Sequence, residues 1–379
     1  MIRVLQVLGS VGLGGAESRI MDLYRHMDRE KIQFDFLITR GNSEYYKDEI
    51  ESLGGKVYYL PAFRVINYAQ YRKAVRAFFR ENAGRYAAVH GHMTSTAAIY
   101  LPIAKREGVP LTIAHARSAG VDPGLKGYVT RLFRLNLRNK CDKMLACSRE
   151  AGESVFGKGA DFVFMPNAID SRAFAYDKGL RDSTREKYGI KDEILIGHVG
   201  SFRYAKNHEW VLKVFKEFLK LCDGNARLFL AGDGERREEM TGLAQEMGLG
   251  SSVIFAGNIS DTPPIYDAFD CLLFPSRYEG MPGTVVEAAA SGLSCLISDS
   301  ITSQVVITDS VVAMSLERSA SEWAGELMRL IEAGRMRDRG AVVCKDGRDL
   351  ADTMYDVNCQ VDYYMTLYGE KQDEDSHKT

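Results

Sequence analysis

Cys271-Leu-Leu-Phe-Pro275, then Glu279-Gly-Met-Pro-Gly-Thr-Val-Val-Glu287, then Ala288-Ala-Ala-Ser-Gly292 read in order as a buried strand, a glycine-rich turn and a helix closed by glycine. A strand-to-helix turn of this kind aims backbone N–H groups and a helix N-terminus at one spot, which suits an anion such as phosphate. Two carboxylates, Glu279 and Glu287, stand eight positions apart. One lies on the loop and the other on the first turns of the helix, so both can flank the anion.

The same strand–helix alternation extends outward in both directions. Before it, short apolar runs at Val4–Leu8, Phe34–Ile38, Lys56–Leu60, Ala87–His90, Leu111–Ala114 and Lys143–Ala146 predict strands, with helices at Ala16–Met27, Tyr45–Leu53 and Tyr68–Asn82. Around it, Ile194–Val199, Arg227–Ala231, Ser252–Phe255, Cys271–Phe274 and Ser294–Ser298 predict a second set of strands. Helices are expected there at Trp210–Cys222, Glu235–Met247, Pro263–Ala268, Gly283–Ser291 and Ser321–Ala333. Short buried strands alternating with helices mean parallel sheets covered on both faces. The expected class is therefore α/β, with two doubly wound Rossmann-like domains facing a cleft. The boundaries are set at 1–175 and 190–350, with a polar linker near Ala173–Lys191. The polar stretch 370–379 is expected to be a disordered tail.

The chain has 379 residues, enough for two to three domains, and its 45% hydrophobic and 26% charged content is that of a soluble globular protein. A net charge of −2 gives no reason to expect a nucleic-acid partner. Seven scattered cysteines form no CxxC pair, which argues for reduced thiols, a cytoplasmic location and no zinc site. The apolar run at the N-terminus stops at Gly9, so it reads as a first strand and not as a signal segment. No run approaches the roughly 18 apolar residues of a membrane span. Arg131, Arg134 and Arg138 stand at helical spacing among leucines. Their bland reading is a solvated face; the functional one is peripheral contact with anionic lipid at the inner face of the membrane.

Several further stretches carry chemistry. Gly200-Ser-Phe-Arg-Tyr-Ala-Lys-Asn-His208 follows a strand and opens a helix, and its Arg203 and Lys206 can clamp one oxyanion group. Alone it would read equally well as a solvated basic loop. Gly12-Leu-Gly-Gly15 lets backbone approach a ligand, but it is not a G-x-G-x-x-G fingerprint, which weakens a nicotinamide reading. His90, His92 and His115 lie at strand ends, where α/β sites are built, and His115 is the first choice among them. They lack an i,i+4 pair and a suitably spaced carboxylate, so no metal site is assigned, and at least one of them is expected to be structural. Ala231-Gly-Asp-Gly234 and Phe255-Ala-Gly257 leave room for a flat base or a ribose, and Asn167 reads as a turn residue.

Taken together, these residues resemble the retaining glycosyltransferases of family 4, which have the GT-B fold. The likeness covers nearly the whole chain. Its carriers are Gly12-Leu-Gly-Gly-Ala-Glu17, Met165-Pro-Asn-Ala-Ile-Asp170, Gly200 to His208, Leu230 to Gly234, Phe255 to Gly257, Phe274 to Glu287 and Ile297 to Ile301. Ser315–Trp323 is similar to members from bacterial capsule and exopolysaccharide clusters. The aromatic-rich segment at about 355–369 resembles the C-terminal helix by which these GT-B enzymes cross back to the first domain. The resemblance implies a sugar transfer from a nucleotide-diphosphate sugar, UDP-linked, to a glycan or polyprenyl-linked acceptor. It gives Glu279 the donor sugar hydroxyls and Glu287 the ribose. Gly280, Met281, Pro282, Gly283, Thr284 and Val285 would bind sugar and diphosphate through their backbone. Arg203 and Lys206 would neutralise the leaving diphosphate, with Gly200 in their loop. Gly14 and Gly15 would let the first domain approach it, His115 would sit at the reacting face of the sugar, and Gly257 and Ile259 would border the base. Where the family commonly has arginine after the loop glycine, this chain has Ser201. Apart from the nucleotide-sugar itself no cofactor is implied, and no apolar-flanked Asp-x-Asp points to a catalytic metal. The alternatives are a UDP-sugar epimerase of the same fold and a non-catalytic nucleotide-sugar-binding protein.

Overall fold

A computed structural model describes residues 1–39, 44–118 and 125–376, apart from the side chains of 125–127, 129 and 370–376. The chain divides into two compact units. Unit 1 is Met1–Ala168 together with the chain from Val357 onward, and unit 2 is Ile169–Asp356.

The described residues of unit 1 hold seven parallel strands: β1 (Ile2–Leu8), β2 (Ile32–Ile38), β3 (Val57–Tyr59), β4 (Ala88–Gly91), β5 (Leu111–Ala116), β6 (Lys143–Ala146) and β7 (Val163–Phe164). Their order is β3-β2-β1-β4-β5-β6-β7, so the winding direction reverses between β1 and β4. Among the described residues six helices connect or follow them: α1 (Gly15–His26), α2 (Lys47–Ser52), α3 (Tyr68–Asn82), α4 (Thr94–Arg106), α5 (Leu125–Arg134) and α6 (Arg149–Phe156). β2 and β5 are buried along their whole length, as strands covered on both faces must be.

Unit 2 begins with α7 (Lys178–Lys187). Its six parallel strands are β8 (Ile194–Val199), β9 (Ala226–Ala231), β10 (Val253–Gly257), β11 (Cys271–Phe274), β12 (Cys295–Ser298) and β13 (Val311–Met314). The order β10-β9-β8-β11-β12-β13 reverses between β8 and β11. The helices are α8 (His208–Leu221), α9 (Arg237–Glu246), α10 (Pro263–Ala268), α11 (Gly283–Ala290) and α12 (Ala320–Arg335); α13 (Val357–Ser376) then rejoins unit 1. The core packs Ile196, Leu228 and Leu230 of the sheet against Val211 and Phe215 of α8 and Trp323 and Leu327 of α12. Each such side chain contributes about 1.5–3 kcal/mol on burial. α12 starts in a capping box, in which Ser319 and Glu322 each satisfy the other's backbone N–H.

Three expectations from the sequence need correction. The stretch 173–191 is not a linker, because Lys178–Lys187 forms α7 within unit 2. Its polarity serves α10: Arg181 donates to the carbonyls of Asp267, Ala268 and Phe269 at that helix's C-terminus and pairs with Asp270 at 2.6 Å. The arginine stripe is not one helical face, because α5 ends at Arg134 and Asn136 takes a left-handed φ of 59°. Arg138 therefore lies on a separate 3-10 turn, and the Arg134 guanidinium is turned inward with Nε and Nη1 buried. The expected tail 370–379 falls in α13 as far as Ser376, in keeping with the helix propensity of Glu370, Lys371 and Gln372; positions 377–379 lie outside the described residues.

Candidate active site

In open α/β sheets, ligands bind beyond the carboxyl ends of the strands where the order reverses. In unit 2 that place is the end of β8, which runs into the Gly200 loop, and the end of β11, which runs into Ser276–Pro282. The two loops are tied together. Arg277 N–H donates to Ala205 O at 2.7 Å, and buried Asn207, in the left-handed region, donates through Nδ2 to Pro275 O at 3.0 Å. Gly200 carries no Cβ, which would lie 3.1 Å from the Lys206 stem, so the lysine can fold back over the loop backbone.

Lys206 and Glu279, expected to serve the two ends of a nucleotide-sugar, form an ion pair at 2.7 Å with both side chains mostly buried. Lys206 Nζ also sits 4.5 Å from the centroid of the Phe274 ring. After this pair, α11 opens at Gly283 with Pro282 before it and no side-chain cap, leaving its first N–H groups for a ligand. Gly280, Gly283 and Thr284 are half-buried, whereas Met281, Pro282 and Val285 are buried, so the turn presents backbone more than side chain. Thr284 Oγ1 donates to Val199 O at 3.3 Å and fastens the helix to β8. Glu287, one turn on, is buried, and its Oε2 accepts from the Tyr266 hydroxyl at 2.6 Å. Arg203 is exposed and makes no ion pair among the described residues. Gly257 ends β10 with a φ of 72°, where its carbonyl accepts from Gly232 N–H at 2.8 Å, and half-buried Ile259 follows.

In unit 1 the reversal lies between β1 and β4, whose ends lead to Gly14, Gly15 and His92. Gly15 is exposed and a Cβ there would meet nothing within 4 Å among the described residues, so none of these demands glycine. At Gly14 a Cβ would strike the Glu17 carboxylate, which leans over the start of α1. His115, expected to close a strand, is the last residue but one of β5 and is fully buried. The rings of His90 and His115 stack at 5.3 Å, and those of His90 and His92 at 4.2 Å. Burial holds all three well below the ordinary histidine range, and the nearby Arg117 charge adds to this.

The three histidine nitrogens lie within 4.8 Å of one another, a spacing that could hold a metal. The donor chemistry fits poorly. His92 uses Nε2 on Gln6 Oε1 at 2.9 Å and Nδ1 on Arg117 Nε at 3.3 Å, and His90 is bonded to Tyr368 and His115 at its two nitrogens. A guanidinium against one ligand also repels a cation.

Sequence reasoning missed Arg117, Tyr266 and Tyr368. Arg117 was within reach of it: positions 115 and 117 alternate onto the same side of an extended chain. Arg117 also reads the supposed turn residue Asn167, donating to its Oδ1 at 2.9 Å. No spacing rule points to Tyr266, which reaches Glu287 from α10, or to Tyr368, which reaches His90 from α13.

Comparison with known proteins agrees with this architecture. Residues 13–173 match the family described as Glycosyltransferase Family 4, and residues 181–341 match Glycosyl transferases group 1. The chain is 34% identical over 386 residues to EpsF of Bacillus subtilis (strain 168), named as a glycosyltransferase, covering 99% of this chain and 98% of EpsF. The chain belongs to the family 4 glycosyltransferases. This glycosyltransferase is also 23% identical to the capsular polysaccharide biosynthesis glycosyltransferase CapH of Staphylococcus aureus, over 87% of this chain and 91% of CapH. Among solved structures it is similar to Anabaena HepE in complex with UDP and glucose, with a TM-score of 0.78 and 15% identity over 97% of this chain and 99% of that one. That likeness shows the GT-B fold.

Proposed function

We propose that this glycosyltransferase moves a sugar from a UDP-sugar to a glycan or lipid-linked acceptor of a bacterial surface polysaccharide, with retention at the anomeric carbon and without a catalytic metal. The observation that carries the donor half is the Lys206–Glu279 pair beside the uncapped start of α11. A diphosphate entering there finds a cation, a helix N-terminus and free N–H groups, and so charge developing on the leaving group meets fixed positive poles. Glu279, released from Lys206, would take the sugar hydroxyls, and Glu287, oriented by Tyr266, the ribose. Arg203, exposed and unpaired among the described residues, is available to reach the diphosphate. His115 would face the sugar. The surface-polysaccharide role draws support from CapH, and the UDP donor from HepE.

A lipid-linked acceptor implies work at a membrane surface. Among the described residues no helix is long and apolar enough to cross a membrane. Tyr128, Leu132 and Leu135 are exposed beside exposed Arg131 and Arg138, and Phe133 packs edge-on against Phe63 at 5.3 Å, next to exposed Val65 and Ile66. Apolar tips flanked by arginines suit an anionic bilayer.

The test is a screen of nucleotide-sugar donors with lipid-linked acceptors, read by product mass spectrometry and by NMR of the new linkage. Transfer from a UDP-sugar with retained configuration, undiminished by a chelator, is expected. An epimerised donor formed without acceptor, an inverted linkage or abolition by chelator would each contradict a part of the proposal.

A further inference from the structure

Glu287 meets Tyr266 across two helices of unit 2. Tyr266 stands on α10 and Glu287 on α11, and the buried tyrosine hydroxyl donates to Glu287 Oε2 at 2.6 Å. Such a bond keeps its length only if the two helices keep their distance. α10 has six residues and α11 eight, too few for either to be stable on its own ladder. Both also end in carbonyls that have no intrahelical partner.

Arg339, four residues beyond α12, serves both ends at once. A guanidinium carries five N–H donors in a fixed fork, and here all five are used. Nη2 donates to Tyr266 O at 2.9 Å and to Ser291 Oγ at 3.1 Å. Nη1 donates to Asp267 O at 3.1 Å and to Phe269 O at 3.2 Å, and Nε donates to Ser291 O at 3.0 Å. Ser291 closes α11 one turn past Glu287, and its N–H donates to Glu287 O at 3.2 Å. The same cation thus holds the main chain of Tyr266 on one side and the turn after Glu287 on the other. Arg181 also donates to the end of α10; Arg339 differs in reaching α11 as well. The Tyr176 ring covers the guanidinium at 4.3 Å. The Arg339 backbone comes close because residue 292 is glycine, with a φ of 65°: a Cβ there would strike the Arg339 carbonyl. Burial, and after it the Arg181 charge, pushes the guanidinium down to about 10, so it stays a cation at neutral pH.

We propose that Arg339 is a positioning residue that fastens the C-terminal ends of α10 and α11 together, keeps the Tyr266 hydroxyl on Glu287, and thereby sets how strongly the donor site selects for ribose hydroxyls. This rests on the reading, proposed above, that Glu287 takes the ribose. Lysine cannot do the same work, because its three donors radiate from one nitrogen and do not span acceptors on two helices. With the helices loosened, Glu287 loses the hydroxyl that orients it, and the carboxylate no longer waits in place for the nucleotide.

The test is calorimetric titration of the full-length protein with UDP and with 2′,3′-dideoxy-UDP, read as the ratio of their Kd values. The wild type should favour UDP by about 10- to 100-fold, the scale of a hydrogen bond to a charged group. Glu287→Ala should bring the ratio near one. A wild-type ratio in E287A would sink the reading of Glu287, and the proposal with it. Tyr266→Phe and Arg339→Lys should each lower the ratio several-fold while the dideoxy nucleotide binds as before. A residue that only stabilised unit 2 would weaken both nucleotides alike, so an unchanged ratio in R339K beside a collapsed one in E287A would overturn the proposal alone. The double variant should lose no more of the ratio than Y266F does; a further loss would show that Arg339 acts by another route and would also overturn it. Should R339K not fold, Ser291→Ala removes one of the five acceptors, and a wild-type ratio in S291A would count against the proposal in the same way.

Discussion

Lys206 carries contacts that compete for its charge. Its ammonium meets Glu279 at 2.7 Å and the Phe274 ring at 4.5 Å, so under the proposed function an arriving diphosphate would have to draw it from the carboxylate proposed to take the sugar. The pair resolves the near-symmetry of the two acids in the sequence: Glu279 is bound to the cation, while Glu287 is bound to a tyrosine. The buried histidines act at the same scale but on stability. Burial pushes His198 down to about 4 and His208 to about 2, and holds His90, His92 and His115 well below 6.5. An unfolded chain takes up protons on these residues as pH falls below about 6.5, and the folded chain does not. Their contribution is thus present above that pH and lost below it. Thermal melts should show a falling Tm between about pH 7 and pH 5, with a smaller fall when His208 is replaced by Gln. An equal fall in that variant would remove His208 from the account.

At the scale of elements, the long apolar strands and the glycine-bounded helices were legible in the sequence, and α3 and α10 fall at the very residues expected. The edge strands β7 and β13 were not, because two to four residues at a sheet edge carry too little periodicity to register. α7 was hidden by its polarity, since it packs on unit 2 through arginines that reach backbone carbonyls. α5 misled in the other direction. Its arginines keep helical spacing in sequence, yet the chain breaks at Asn136. The exposed Leu132 and Leu135 then become the better probes of membrane contact. Replacing both with Ser should reduce co-sedimentation with phosphatidylglycerol vesicles several-fold while leaving the melting curve unchanged, and undiminished co-sedimentation would make this face a solvated one.

For the whole molecule, the division of labour follows from where each sheet reverses. Unit 2 brings together the loop after β8, the turn after β11 and the uncapped α11, all of which the sequence motifs marked because phosphate sites need glycine and a lysine at fixed offsets. Unit 1 builds its histidine cluster from β4 and β5 and supports it through Tyr368 of α13, a partnership 278 residues apart for His90 that no local pattern encodes. Motif spacing thus marks backbone geometry well and side-chain partnership across elements poorly. The central claim is that the unit 2 constellation carries the donor. Its most direct measurement is the rate of sugar transfer from UDP-sugar by Lys206→Ala and Glu287→Ala, set beside their thermal melts. The account requires K206A to lose about 100- to 1000-fold in rate with its melt preserved, the scale of one lost electrostatic donor, and E287A to lose transfer strongly as well. Wild-type transfer in both folded variants would contradict it.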